Sequence, residues 1–182
     1  MGLRKKNLKR IGVLGGTFDP PHLGHLGISK FAIKKLNLQF LIWAVTKKNP
    51  LKKKSFFSLQ KRINFSRKLA SKVNKIKIET YDDIIKSSKT INLVKYLKKK
   101  YKKSEIFFLI GSDNLIKFHK WHDWKKISNF CKIIVFPRTG YLRQVFNSKA
   151  YGYLGKEKIQ FIKSKRINIS SSKIRKNYLK YN

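Results

Sequence analysis

Cysteine is almost missing from this chain: Cys131 stands alone among 182 residues. A single thiol excludes an intramolecular disulfide and a cysteine-built zinc site, and it fits a reducing compartment. Cys131 lies in an apolar stretch, residues 130–136, and reads as a core residue. Long apolar runs are missing too. The longest, Phe40 to Val45, falls far short of the ~20 residues a membrane span needs. The basic first ten residues are followed by no h-region, so no signal peptide is expected. Position 6 is Lys, where myristoylation requires Ser or Thr. The expectation is a cytoplasmic protein with no membrane partner. Carboxylates are scarce: eight Asp plus Glu stand against 45 Lys plus Arg, for a formal net charge of +37. So basic a chain favours anionic partners, whether nucleic acid, phosphorylated small molecules or an acidic membrane surface, and composition does not choose among them. An apolar fraction of 41% and an aromatic fraction of 13% exclude a disordered polar chain.

The length predicts one domain over residues 11–182, preceded by a basic leader over residues 1–10. There is no internal repeat and no Pro- or Ser-rich linker. Short apolar runs predict strands at Ile11 to Leu14, Phe40 to Val45, Ile76 to Ile78, Ile106 to Ile110, Ile133 to Phe136 and Ile159 to Ile162. Helical spacing predicts helices at His25 to Leu36, Leu59 to Val73, Ile91 to Leu97, Trp124 to Phe130 and Ser171 to Leu179. Strands of 4–6 residues alternating with helices imply an α/β fold with a parallel sheet covered on both faces. Ligands of such sheets sit beyond the carboxyl ends of the strands, so chemistry is expected in the residues that follow each strand.

Two segments stand out there. After the first strand comes Gly15-Gly16-Thr17-Phe18-Asp19-Pro20-Pro21-His22-Leu23-Gly24-His25. The paired glycines predict a sharp turn and close approach to a ligand. The helix expected from about Gly24 offers free N–H groups and partial positive charge, which suit a phosphate. His22 and His25, three apart, can face one point, donate to phosphoryl oxygens and carry charge if protonated. The loop is neither a Walker A motif nor a dinucleotide G-x-G-x-x-G motif. Near the end stands Ile169-Ser170-Ser171-Ser172-Lys173-Ile174-Arg175. One serine serves as N-cap; the surplus hydroxyls and Arg175 make a second anion cradle. Two such helix N-termini together would clamp a polyphosphate.

G-G-T-F-D-P-x-H-x-G-H near the start and I-S-S-S-x-I-R near the end resemble the nucleotidyltransferase superfamily with the H-x-G-H signature. Gly15 to Pro20 resemble in particular the bacterial nicotinate-nucleotide adenylyltransferases. Gly111-Ser112-Asp113-Asn114-Leu115 is similar to that family's G-A-D-N-L. Trp121, Trp124 and Ile127 are similar to its W-x-x-W-x-x-I, and Asn49 to Lys52 to a Pro- and Lys-bearing loop. The sequence departs from the family at Lys89, at Leu93 and at Thr139. The resemblance implies a Rossmann-like nucleotidyltransferase fold and adenylyl transfer from ATP to nicotinate mononucleotide, giving deamido-NAD and pyrophosphate. It implies ATP contacts at Gly16, Thr17, Phe18, His22, His25, Lys52, Gly111, Asp113, Ile169, Ser171, Ser172 and Arg175. Nicotinate-nucleotide contacts are implied at Thr90, Trp121 and His122, with His22, His25 and Arg175 as the catalytic candidates. Mg²⁺ would come with ATP, with no protein metal ligand expected. Asp113 reads as a ribose-hydroxyl acceptor or as a helix cap. Trp121 can stack a pyridine ring, or pack in the core with Trp124.

Three alternatives stay open at this level. One is another enzyme of the superfamily, such as phosphopantetheine adenylyltransferase. The second is an enzyme preferring the nicotinamide nucleotide. The third is a basic nucleic-acid-binding protein without catalysis, although no zinc finger, helix-turn-helix wording or aromatic platform supports specific nucleic-acid recognition. A homo-oligomer is compatible with all of them.

Overall fold

The computed structural model describes residues 8–49, 51, 54–138, 140–163 and 169–181. Strands β1 (Lys9–Gly16), β2 (Phe40–Val45), β3 (Ile76–Glu79), β4 (Ser104–Gly111), β5 (Lys132–Phe136) and β6 (Ile159–Phe161) alternate with helices. They form one six-stranded sheet in the order β3-β2-β1-β4-β5-β6. Every pairing is parallel, with Val13 of β1 between Ile42 of β2 and Phe108 of β4. The order reverses between β1 and β4, the point beyond whose carboxyl ends open α/β sheets generally bind their ligands.

The pleat splits the apolar residues into two cores. Ile106, Phe108 and Ile110 of β4 join one, and Phe107 and Leu109 join the other. The first core is closed by α3 (Thr90–Lys100), α5 (Trp124–Ile127) and α7 (Lys149–Lys158), with Cys131 inside it. Burial pushes the Cys131 thiol up to about 12, so it is an inert core residue. The second core is closed by α1 (Leu23–Lys35) and α2 (Leu59–Ala70). Beneath the first loop, the Trp43 indole donates to Ser29 Oγ at 2.8 Å, and Ser29 donates to the His25 carbonyl at 2.7 Å. This buried link pins the first turn of α1 to β2.

The expected strands and helices are all present, and β1 begins at Lys9, before its apolar run. Three helices have no counterpart in the sequence reading: α4 (Ser112–Ile116), α6 (Leu142–Phe146) and α7. The first two are shorter than two turns, too short for a 3.6-residue period to register. In α7, Gly155 at φ 65° interrupts the helical geometry. α8 (Ser171–Tyr181) closes the fold.

Candidate active site

The site forms where the first loop, the end of β4, the end of β5 and the start of α8 meet. Gly15 and Gly16 do not make the turn expected of them; both continue β1, paired with Ala44 and Val45. The left-handed residue is Phe18, at φ 49°. Its ring is 2% exposed and stacks on Trp43, with centroids 5.0 Å apart. Core packing thus stabilises a backbone conformation that a bulky side chain ordinarily avoids. The ring is therefore committed to the core, which leaves only the Phe18 backbone available to a ligand.

His22 and His25 come together, their ring centroids 3.9 Å apart. The His22 backbone N–H donates to His25 Nδ1 at 3.2 Å. Because Nδ1 accepts, the proton of a neutral His25 lies on Nε2. His22 is buried, and its Nδ1 is a buried polar atom with no hydrogen-bond partner among the described residues. Burial first, then the positive charge of Arg138, pushes its pKa down to about 4. Of the two states left open for His22, burial selects the neutral one: at neutral pH it is an uncharged imidazole, able to donate or accept a hydrogen bond.

That shift fixes a pH effect. Unfolded His22 titrates near its ordinary value of about 6.5. Between pH 6.5 and 4 the unfolded chain holds a proton that the folded chain rejects, so stability falls as pH drops through this window. Urea midpoints at several pH values should show this fall. His22→Asn should flatten its slope, and equal slopes in the two proteins would contradict a buried neutral imidazole.

Gly24 leaves room for the His22 ring. A Cβ there would lie 2.8 Å from His22 Nδ1 and 3.4 Å from Ile169 Cγ2. Gly24→Ala should therefore displace the His22 ring and lower kcat about tenfold, while the protein stays folded. Steady-state kinetics beside a thermal melt checks this.

The second cradle docks on the first loop. Ser170 Oγ accepts from the Lys173 N–H at 3.3 Å and acts as the cap. Ser171 Oγ donates to the Pro20 carbonyl at 2.9 Å. Arg175 donates to the Asp19 carbonyl, and its other terminal nitrogen donates to Ser172 Oγ at 3.2 Å. Two chain segments about 150 residues apart thus share one edge, with the N-termini of α1 and α8 side by side.

Gly111 and Asp113 lie beyond β4. Gly111 is the N-cap of α4, and Asp113 falls inside that helix, so the capping alternative for Asp113 is not the one adopted. Its Oδ1 is buried without a hydrogen bond, 3.6 Å from Arg138 Nε. Buried polar atoms without partners are rare in folded chains. Two of them, His22 Nδ1 and Asp113 Oδ1, lie on this edge of the sheet. Arg138 is a site residue the sequence reading left out. It follows β5, and the rule of inspecting the residues after every strand would have found it.

Trp121 is half-buried, 4.8 Å from the Phe118 ring and edge-on to Phe108 at 6.2 Å. Trp124 packs on Phe118 and Tyr153. Thr90 opens α3, half-buried, and His122 is exposed beside Asp123. No direct contact joins Thr90 or His122 to the histidine pair among the described contacts. Lys52 lies outside the described residues.

Two buried charged groups organise the loops from behind. The Asp19 carboxylate accepts from the Phe56 and Phe57 N–H groups at 2.7 and 2.9 Å. Arg62, 2% exposed, binds four carbonyls. Nothing in a helical pattern distinguishes Arg62 from a solvated cation, so the sequence reading missed it.

Fold and site together define a nucleotidyltransferase: the chain belongs to the cytidylyltransferase-like family, whose model matches residues 13–177. The chain is 49% identical to a Pelagibacter ubique protein named "Probable nicotinate-nucleotide adenylyltransferase", over 96% of each chain. An Aquifex aeolicus protein of the same name is 38% identical, over 88% of this chain and 98% of its own. Within the family, then, the chain falls among the nicotinate-nucleotide adenylyltransferases. The solved nicotinic acid mononucleotide adenylyltransferase of Plasmodium falciparum, complexed with NaAD, shares the fold with a TM-score of 0.73 at 18% identity. That match covers 92% of this chain and 83% of the other. Among the described residues, no helix is long and apolar enough to cross a membrane.

Proposed function

We propose that this enzyme joins ATP to nicotinate mononucleotide, with the two docked loops holding the triphosphate. A phosphate oxygen of the mononucleotide attacks the α-phosphorus of ATP. The bond from that phosphorus to the oxygen bridging α and β breaks, and pyrophosphate leaves with the electron pair. The nucleophile is already an anion at neutral pH, so no general base is required. Catalysis is positioning plus stabilisation of charge on the phosphoryl oxygens. A site with few carboxylates suits it.

His25 donates from Nε2 and neutral His22 from its ring to the α-phosphoryl oxygens. The Ser171 backbone N–H, the Ser172 hydroxyl and Arg175 hold the departing β and γ phosphates, and Lys52 adds charge. Gly16, Thr17 and Phe18 contribute backbone N–H groups. Ile169 and Gly111 line the nucleotide, and Asp113 accepts from a ribose hydroxyl. Thr90, Trp121 and His122 receive the pyridine nucleotide, with its carboxylate on backbone N–H groups near Thr90 and His122.

Among the described residues, no group of three His, Cys, Asp or Glu side chains could cage a metal. Both oxygens of Asp19 are engaged by backbone N–H groups. In this reading Mg²⁺ would enter with the nucleotide co-substrate, whose phosphate oxygens and water would hold it. The enzyme works in the cytoplasm, as a single domain over residues 11–182. Its excess charge gives nucleic acid binding that is non-specific and falls steeply with salt.

The observation that carries this reading is the docking of Ser171 and Arg175 onto the carbonyls of Pro20 and Asp19, which sets two anion-binding helix starts at one edge. The test is pyrophosphate release with ATP and Mg²⁺, comparing nicotinate mononucleotide, its amide and phosphopantetheine. Strong preference for the acid is expected. Preference for the amide overturns the carboxylate site, and turnover of none by folded protein overturns the assignment.

A further inference from the structure

Arg62 sits in the first turns of α2, fully buried, where a cation is costly unless every donor is matched. Its Nε donates to the Phe57 carbonyl at 3.1 Å. One terminal nitrogen donates to the carbonyls of Thr17, at 2.6 Å, and Thr46, at 2.8 Å. The other donates to the carbonyl of Lys47 at 3.2 Å. Burial pulls its pKa below the usual arginine range, while the carboxylates of Asp19 and Asp82 act in the opposite sense. One guanidinium thus gathers three segments: the loop after β1, the loop after β2 and the approach to α2.

The peptide unit is planar and trans, so its C=O and N–H point in opposite directions. A guanidinium that draws the Thr17 C=O inward turns the Phe18 N–H outward, away from α2. Phe18 is the residue held at φ 49°. The same constraint acts on the Lys47 C=O and the Lys48 N–H. A lysine could not replace this fork, because its ammonium is a point donor without a fixed plane.

We propose that Arg62 is a positioning residue for adenylyl transfer: bound to the Thr17 carbonyl, it aims the Phe18 N–H at the ATP phosphates. The proposal rests on the adenylyltransferase reading of the site.

The first test leaves the chain unmutated. With phenylalanine labelled with ¹⁵N, saturation with a non-hydrolysable ATP analogue should shift the assigned Phe18 amide resonance strongly. An unmoved resonance in protein that binds the analogue overturns the proposal. The second test is Arg62→Lys, with Ala70→Gly as a control that weakens the same helix away from the loop. Per folded molecule, Arg62→Lys should lose about 30- to 100-fold in kcat, as expected for displacement of a phosphate ligand by about 1 Å. The KM for nicotinate mononucleotide should stay within about twofold of the parent, because the mononucleotide is held elsewhere, and Ala70→Gly should keep the parental kcat. Arg62→Lys with a kcat within twofold of the parent, or falling no more than that of Ala70→Gly, overturns the proposal. A parent that turns over no nucleotide, yet binds the analogue, would instead count against the adenylyltransferase reading.

Discussion

Replacing His22 with alanine is expected to lower kcat for adenylyl transfer by about 10²- to 10³-fold, the usual loss when one preorganised donor to a developing charge is removed. The imidazole is buried, and its Nδ1 has no hydrogen-bond partner among the described residues, so the desolvation cost is already met before substrate arrives. It is neutral, with its pKa pushed down to about 4, so in the proposed mechanism it would stabilise charge by donating a hydrogen bond and would need no proton from solvent. The KM for nicotinate mononucleotide should change little, because the ring acts at the phosphoryl group. His22→Asn should recover part of the rate by supplying one N–H. Single-turnover measurements of pyrophosphate formation test both variants. A loss below about tenfold in His22→Ala would remove His22 from the chemistry and leave His25 as the principal donor.

Asp19→Ala should cost about 3–5 kcal/mol of stability, a large fraction of the total for a domain of this size. Its carboxylate accepts from two backbone N–H groups, those of Phe56 and Phe57, and the second is buried. Alanine leaves both donors without an acceptor. It also removes a negative charge 4.0 Å from the Arg175 guanidinium. Asp19→Asn keeps one good acceptor and should lose about half as much. Urea unfolding measures both losses, and a cost under about 1 kcal/mol for the alanine variant would show that the loop finds substitute partners. The surviving folded enzyme should also bind ATP more weakly, because Asp19 ties the first loop to the segment before α2.

The sequence made much of this legible because strand and helix periods are local. Ile106 to Ile110 could be read as a buried strand from five neighbouring residues, and the sheet confirms it at β4. The two candidate phosphate loops were legible as motifs for the same reason: histidines three apart and serines before an apolar helix carry their chemistry in short spacings. Of the two readings open for Asp113, the structure sets aside the cap, which falls to Gly111, since which residue caps a five-residue helix depends on backbone angles that residue types constrain weakly. Arg138 and Arg62 looked like two more cations in a chain of 45.

The sequence alone therefore determined the class of fold, the order of its six strands and the two segments proposed to bind phosphate. These follow from periodicity, capping and residue chemistry within a few positions of each other. The tertiary structure decided what those groups do. It joined Ser171 to Pro20 and Arg175 to Asp19 across the whole chain, buried His22 until it lost its charge, and moved the tight turn from the glycines to Phe18. It also turned Arg62 from a surface cation into the hub of three segments. Burial sets the local dielectric, and burial is a property of which distant residues pack together, so charge state and donor direction are fixed when the sheet and its two cores close.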